Sequence, residues 1–225
     1  MYISHKYKFV FLRSPKTASS SLSEFFINNI PDPNAVYTAV EDSKIKGQHT
    51  KVIENKYRKN FKFYHMTLQE LVDEHYLTRE QANSYRIISV IRDPADRQKS
   101  FYYFFRRWKG KGKPASLEQY KAFAPNGWFE GEPNSKILQS SLGVLDGVQL
   151  GEYWLYENLE THLTNFMKDM NVEILYPLPN HKSDFRKNRN NEIQFDTESM
   201  MKLLNNFEED FKLYHELKDK TYESI

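Results

Sequence analysis

The chain has 225 residues, 32 Lys and Arg against 30 Asp and Glu for a formal net charge of +2, and no cysteine. The missing cysteine excludes disulfides, thiolate metal sites and a cysteine nucleophile. The balanced charge gives no argument for a nucleic-acid partner, and a 15% aromatic share, with 16 Phe and 15 Tyr, fits a packed globule and not a disordered chain. At about 150 residues per domain the length allows one domain or a compact pair. The expectation is a single domain over 1–225, with variable insertions at 34–60 and 109–150. The longest early apolar run, Phe9-Val10-Phe11-Leu12, is too short for a signal-peptide core or a membrane span. A cytoplasmic location is expected, and the oligomeric state is not legible.

In chain order, residues 7–13 (YKFVFLR) are an aromatic and β-branched run ending at Ser14-Pro15, and predict a buried strand. Residues 17–29 place Leu22, Phe25 and Phe26 at helical spacing before Pro31 and Pro33 stop the helix. Residues 34–60 read as irregular. Residues 61–64 are a short strand candidate leading to His65, and Thr67-Leu68-Gln69-Glu70 is a capping box that starts a helix. Residues 85–91 (YRIISVI) are the strongest strand signal. Asp93-Pro94 then supplies an N-cap and a first helical residue for a helix to about Trp108. Residues 152–156 and 172–175 read as strands, 158–170 as a helix, and Asp196 caps one long final helix to about Leu217. Strands alternating with helices predict an α/β fold whose ligands bind beyond the carboxyl ends of the strands.

Two segments carry chemistry. The first is Ser14-Pro15-Lys16-Thr17-Ala18-Ser19-Ser20-Ser21, between a strand and a helix. A helix start offers free N–H groups and the positive end of the dipole, and one lysine and five hydroxyls add donors for phosphate or sulfate oxygens. The G-x-x-x-x-G-K-[ST] loop of magnesium nucleotide triphosphatases is absent. The plain alternative is a hydroxyl-rich turn that only caps a helix. The second is Arg92-Asp93-Pro94-Ala95-Asp96-Arg97-Gln98-Lys99-Ser100. Arg92 ends the strongest strand, and Ser100 sits nearly two turns into the next helix, where its hydroxyl can point back toward Arg92; together they suit one phosphate. Arg97 either pairs with Asp93 or adds charge. The alternative for this segment is a turn with surface charges.

Taken together, PKTASSSL and VIRDPADRQKSFYY resemble the motifs of the sulfotransferase superfamily, and further the carbohydrate branch that contains the heparan sulfate 2-O-sulfotransferases. Microbial and viral relatives look similar through His65-Met66-Thr67-Leu68-Gln69-Glu70-Leu71, Tyr156-Glu157-Asn158-Leu159 and Leu178-Pro179-Asn180-His181-Lys182-Ser183. The resemblance implies a P-loop-like three-layer α/β fold, with a central, mainly parallel sheet flanked by helices. It implies the donor 3′-phosphoadenosine-5′-phosphosulfate (PAPS), with adenosine 3′,5′-bisphosphate as product. Pro15, Lys16, Thr17, Ala18, Ser19, Ser20 and Ser21 would hold the 5′-phosphosulfate, Arg92 and Ser100 the 3′-phosphate, and Lys182 and Ser183 would contact the nucleotide from a late loop. A solvated basic loop is the alternative for that last segment.

Sulfuryl transfer resembles phosphoryl transfer in building charge on the leaving oxygen, so positioning and electrostatics dominate. The resemblance gives Lys16 the task of neutralising that oxygen and His65 that of the base; a histidine that merely makes a structural hydrogen bond is the alternative, with His49 and Glu24 as fallback bases. No metal is expected. The acceptor is expected to be a hydroxyl, of a carbohydrate. Trp108 and five cations between 106 and 113 either meet a sugar or decorate an exposed helix end. Two other classes stay in view: a kinase-like phosphotransferase, disfavoured by the missing glycine-rich loop, and a non-catalytic anion- or glycan-binding module.

Overall fold

The strand at Phe9–Phe11 (β2) is buried along its whole length, as a run with no polar residue must be. It lies inside the central sheet of a computed structural model, which describes residues 1–38, 51–52, 64–109, 133–179 and 194–223. Among the described residues this sheet has six strands, in the order β4-β3-β1-β2-β5-β8. The others are β1 (Tyr2–Ser4), β3 (Val36–Tyr37), β4 (Lys51–Val52), β5 (Arg86–Ile91) and β8 (Gly151–Leu155). β2 pairs in parallel with β5, and β5 with β8; β1 alone runs against its neighbours. A small hairpin joins β6 (Val144–Leu145) to β7 (Val148–Gln149). This is the expected α/β fold, with a mainly parallel central sheet flanked by helices.

The described residues form two compact units, one of 1–91 and 139–181, the other of 92–138 and 182–225. In the first, α1 (Ser19–Asn29) and α5 (Leu159–Asp169) share one core with the sheet. Phe9, Phe26 and Phe166 meet pairwise at centroid distances of 5.0 to 6.0 Å, mostly edge to face or tilted. Each such pair adds about 0.5–1.5 kcal/mol beyond area burial. α2 (Leu68–Asp73) starts at the expected capping box: the Glu70 amide donates to Thr67 Oγ1, and Glu70 Oε2 accepts from the Thr67 amide. The Leu68 amide donates to the Leu142 carbonyl at 2.8 Å, which fixes where the segment after His65 enters its helix. A second capping box, Thr78 with Gln81, opens α3 (Arg79–Ser84).

The second unit holds α4 (Pro94–Lys109), a 3₁₀ turn at Pro133–Lys136, α6 (Thr197–Asn206) and α7 (Glu208–Glu223). Asp93 caps α4 through the Asp96 amide at 2.8 Å. The expected single final helix is two, because Phe207 leaves helical geometry at φ −126° and buries its ring beneath the Arg97 guanidinium, 5.1 Å away. The strand expected at 172–175 is also not formed. There the amides of Leu175 and Tyr176 donate to Asn29 Oδ1 at 2.8 and 2.9 Å and reach no neighbouring strand. Most of the 34–60 segment, and residues 61–63, lie outside the described residues; Tyr64 and His65 form a helical turn and not the end of a strand.

Candidate active site

After β2 the chain must turn into α1 within seven residues, and it does so through two left-handed residues, Lys16 (φ 65°) and Ala18 (φ 56°). Neither is glycine, so each costs about 1 kcal/mol or more of backbone strain, a cost that clusters at functional sites. Thr17 Oγ1 braces the turn by donating to the Ser14 carbonyl at 2.9 Å, and Ser14 Oγ reaches Gln139 Oε1 at 3.5 Å. The helix therefore begins at Ser19, two residues later than expected. Its N-cap, Ala18, has no side-chain oxygen to offer, so the first turn presents its amides without a capping side chain. An anion at this end of α1 would meet those amides, the serine hydroxyls and the helix dipole. Ser19 and Ser21 are buried and Ser20 is partly so; Thr17 is fully buried. Pro15 is buried and Lys16 partly exposed.

His65 is brought to the same place. Its Nδ1 lies 2.7 Å from the Arg13 carbonyl, which is the second residue after β2. A carbonyl only accepts, so the neutral ring carries its proton on Nδ1 and leaves the Nε2 lone pair as the basic position. Burial lowers the ring's pKa to about 3, reinforced by the charges of Arg13, the N-terminal amine and Lys16, while the bond to the Arg13 carbonyl works in the opposite direction. Lys16 and His65, placed 49 residues apart in the chain, are thus close enough to act on each other electrostatically.

Arg13 was not among the residues singled out by sequence. Its guanidinium is buried, with Nη2 donating to Ser20 Oγ at 3.2 Å and Nη1 to Thr38 Oγ1 at 3.4 Å. The signal available was a cation at the carboxyl end of a strand, two residues before Pro15; it reads as the polar end of a strand until its contacts are known. Glu24 is buried on α1. His49 lies outside the described residues.

In the other unit, Arg92 is the first residue after β5 and is buried, with its guanidinium bonded to Asp96 one turn along α4. Ser100 is partly buried on α4. Arg97 does not pair with Asp93: its side chain is fully buried, Nη1 donates to the Ile137 carbonyl at 2.7 Å, and Nη2 stands 3.6 Å from Asp210. Burial lowers its pKa to about 10, against the opposing effect of Asp210. It is a packing cation of the interior, and the reading of it as a turn or surface charge is corrected. Lys182, Ser183 and His181 lie outside the described residues, as do the side chains of Trp108 and of the cations from Arg106 to Lys113.

The model of the Sulfotransferase family matches residues 1–215 of the chain. The chain belongs to this family. No curated protein and no solved structure gives a significant match to the sulfotransferase. Among its described residues no group of three or more His, Asp or Glu side chains is arranged to hold a metal ion, and no helix is long and apolar enough to cross a membrane.

Proposed function

We propose that this sulfotransferase moves the sulfuryl group of PAPS onto an acceptor hydroxyl, that of a carbohydrate, by in-line displacement without a metal. The observation that carries the reading is the bond from His65 to the Arg13 carbonyl just past the carboxyl end of β2, which holds the ring within electrostatic reach of Lys16 and beside a helix start with no side-chain cap. The Lys16 loop, from Pro15 to Ser21, suits the 5′-phosphosulfate. Arg92 and Ser100 are assigned to the 3′-phosphate, and Lys182 and Ser183 to the nucleotide; these assignments rest on the motif resemblance. So does the carbohydrate acceptor, and the cytoplasmic location rests on the cysteine-free composition.

In the reaction the acceptor oxygen forms a bond to sulfur as the bond from sulfur to the bridging oxygen breaks. The acceptor's proton passes to His65 Nε2, and the electron pair stays on the departing phosphate oxygen. Lys16 neutralises that oxygen; a compact ammonium on a flexible stem can follow the charge as it grows. The Nδ1–H bond to the Arg13 carbonyl keeps the ring oriented and its basic nitrogen directed away from the main chain.

Thermal unfolding with adenosine 3′,5′-bisphosphate, compared with ATP and magnesium, tests the donor class. A ligand at about 100 times its Kd stabilises by about 2.7 kcal/mol, so the bisphosphate raises Tm by several degrees. A larger shift with ATP and magnesium would overturn the reading.

A further inference from the structure

Among the described residues no carboxylate neutralises the charge of Arg13. The residue is 4% exposed, and among the described residues its guanidinium bonds go to the hydroxyls of Ser20 and Thr38, with the guanidinium 5.4 Å above the Tyr64 ring. Its Nε has no hydrogen-bond partner, and among the described residues no carboxylate pairs with it. A buried guanidinium without a counter-ion is costly, and the cost is recovered when an anion takes the vacant role. The position identifies which anion that is. Ser20 lies in the first turn of α1, beside the amide end of the helix and Lys16, where the donor's phosphosulfate is assigned. The other end of the same residue touches the base, because the Arg13 carbonyl accepts the Nδ1–H of His65.

We propose that Arg13 is a positioning residue that ties the His65 base to the anion cradle, its charge completed by the bound donor. The inference rests on the reading of the loop as the donor site and adds a coupling to it. Among the described residues, the charged side chains that act on His65 are two cations of the loop after β2, Arg13 and Lys16; the N-terminal amine also acts on it, its own pKa lowered well below the ordinary value by burial. While the loop is empty these cations oppose protonation of the ring, which is then a feeble acceptor for a hydroxyl proton. A donor anion on the loop offsets them and strengthens the base. Proton removal thus becomes effective only when the group to be transferred is in place.

Nitrogen NMR of the His65 ring in the full chain tests this, without and with adenosine 3′,5′-bisphosphate, in wild type, Arg13→Gln and Arg13→Lys. Any side chain at 13 keeps the carbonyl, so these variants separate charge from orientation. Wild type keeps the neutral Nδ1–H form at pH 5.5, and the nucleotide raises the midpoint. Arg13→Gln raises the midpoint before nucleotide is added, by at least about one pH unit, as expected for loss of a neighbouring charge. Arg13→Lys stays near wild type. In the sulfotransferase assay the acid limb of kcat/KM moves up in Arg13→Gln and not in Arg13→Lys, which a merely structural role would not produce. Equal midpoints in Arg13→Gln and wild type would overturn the coupling. Should Arg13→Gln not fold, a wild-type midpoint unmoved by bound nucleotide would do the same. Should the nucleotide fail to bind, the donor reading falls, and the variant comparison in the free protein still decides the link between Arg13 and His65.

Discussion

Replacing His65 by asparagine removes the titrating ring but keeps a side-chain N–H able to reach the Arg13 carbonyl. The folded ring has its pKa lowered to about 3, by burial first and by Arg13 second, against about 6.5 in the unfolded chain. Below pH 6.5 the unfolded chain therefore binds a proton that the folded chain refuses. The folded-state pKa is the lower one, so stability is lost as the pH falls from about 6.5 toward 3 and is intact above 6.5. At pH 5, about one and a half pH units below the unfolded midpoint, the loss amounts to about 2 kcal/mol, an upper value for a ring in partial contact with solvent. Urea unfolding of both proteins at pH 7.5 and pH 5 reads this directly, because every other titrating group is common to the pair. Wild type should lose about 2 kcal/mol more than His65→Asn between the two conditions. Equal losses would refute the argument that His65 is held neutral by its surroundings.

Two further changes probe the frame around the site. Ala18→Gly relieves the left-handed N-cap of α1, and after the added freedom of the unfolded chain it should stabilise the fold by about 0.5 kcal/mol; a lower urea midpoint would show that no strain is stored there. Arg97→Met removes the cation facing Asp210 and the donor to the Ile137 carbonyl, and should cost about 3–5 kcal/mol. A cost below about 1 kcal/mol, the range of surface charges, would return Arg97 to the surface role that its sequence context implies.

The elements legible from sequence were those whose signal is local. β5 announces itself as a run of β-branched residues, and α2 by a capping box whose two bonds lie three residues apart. β1 and β3 have only three and two residues, too few for a period, and owe their existence to partners across the sheet. Residues 172–175 look like a strand, but their neighbourhood is set by Asn29, 146 residues away from Leu175. Arg97 shows the same limit: its environment comes from Ile137 and Asp210, so a charge on an Arg-Asp-rich turn could not be recognised as interior. At the site, the placement of the Lys16 loop between a strand and a helix was readable from the apolar run before it and the helical spacing after it. The two left-handed residues and the bond from His65 to the Arg13 carbonyl were not, since backbone angles and a contact spanning 52 residues leave no mark on composition.

Transfer of radiolabelled sulfate from PAPS to a panel of carbohydrate hydroxyls, by the native chain and by Lys16→Ala side by side, tests the central claim most directly. The native chain should label at least one acceptor with no metal added. Lys16→Ala should keep the native Tm while its rate falls by about a hundred- to a thousandfold, as expected when one charge-stabilising group is removed from a transition state. A native chain that binds the donor yet labels no hydroxyl, or a Lys16→Ala variant that turns over at the native rate, would contradict the account.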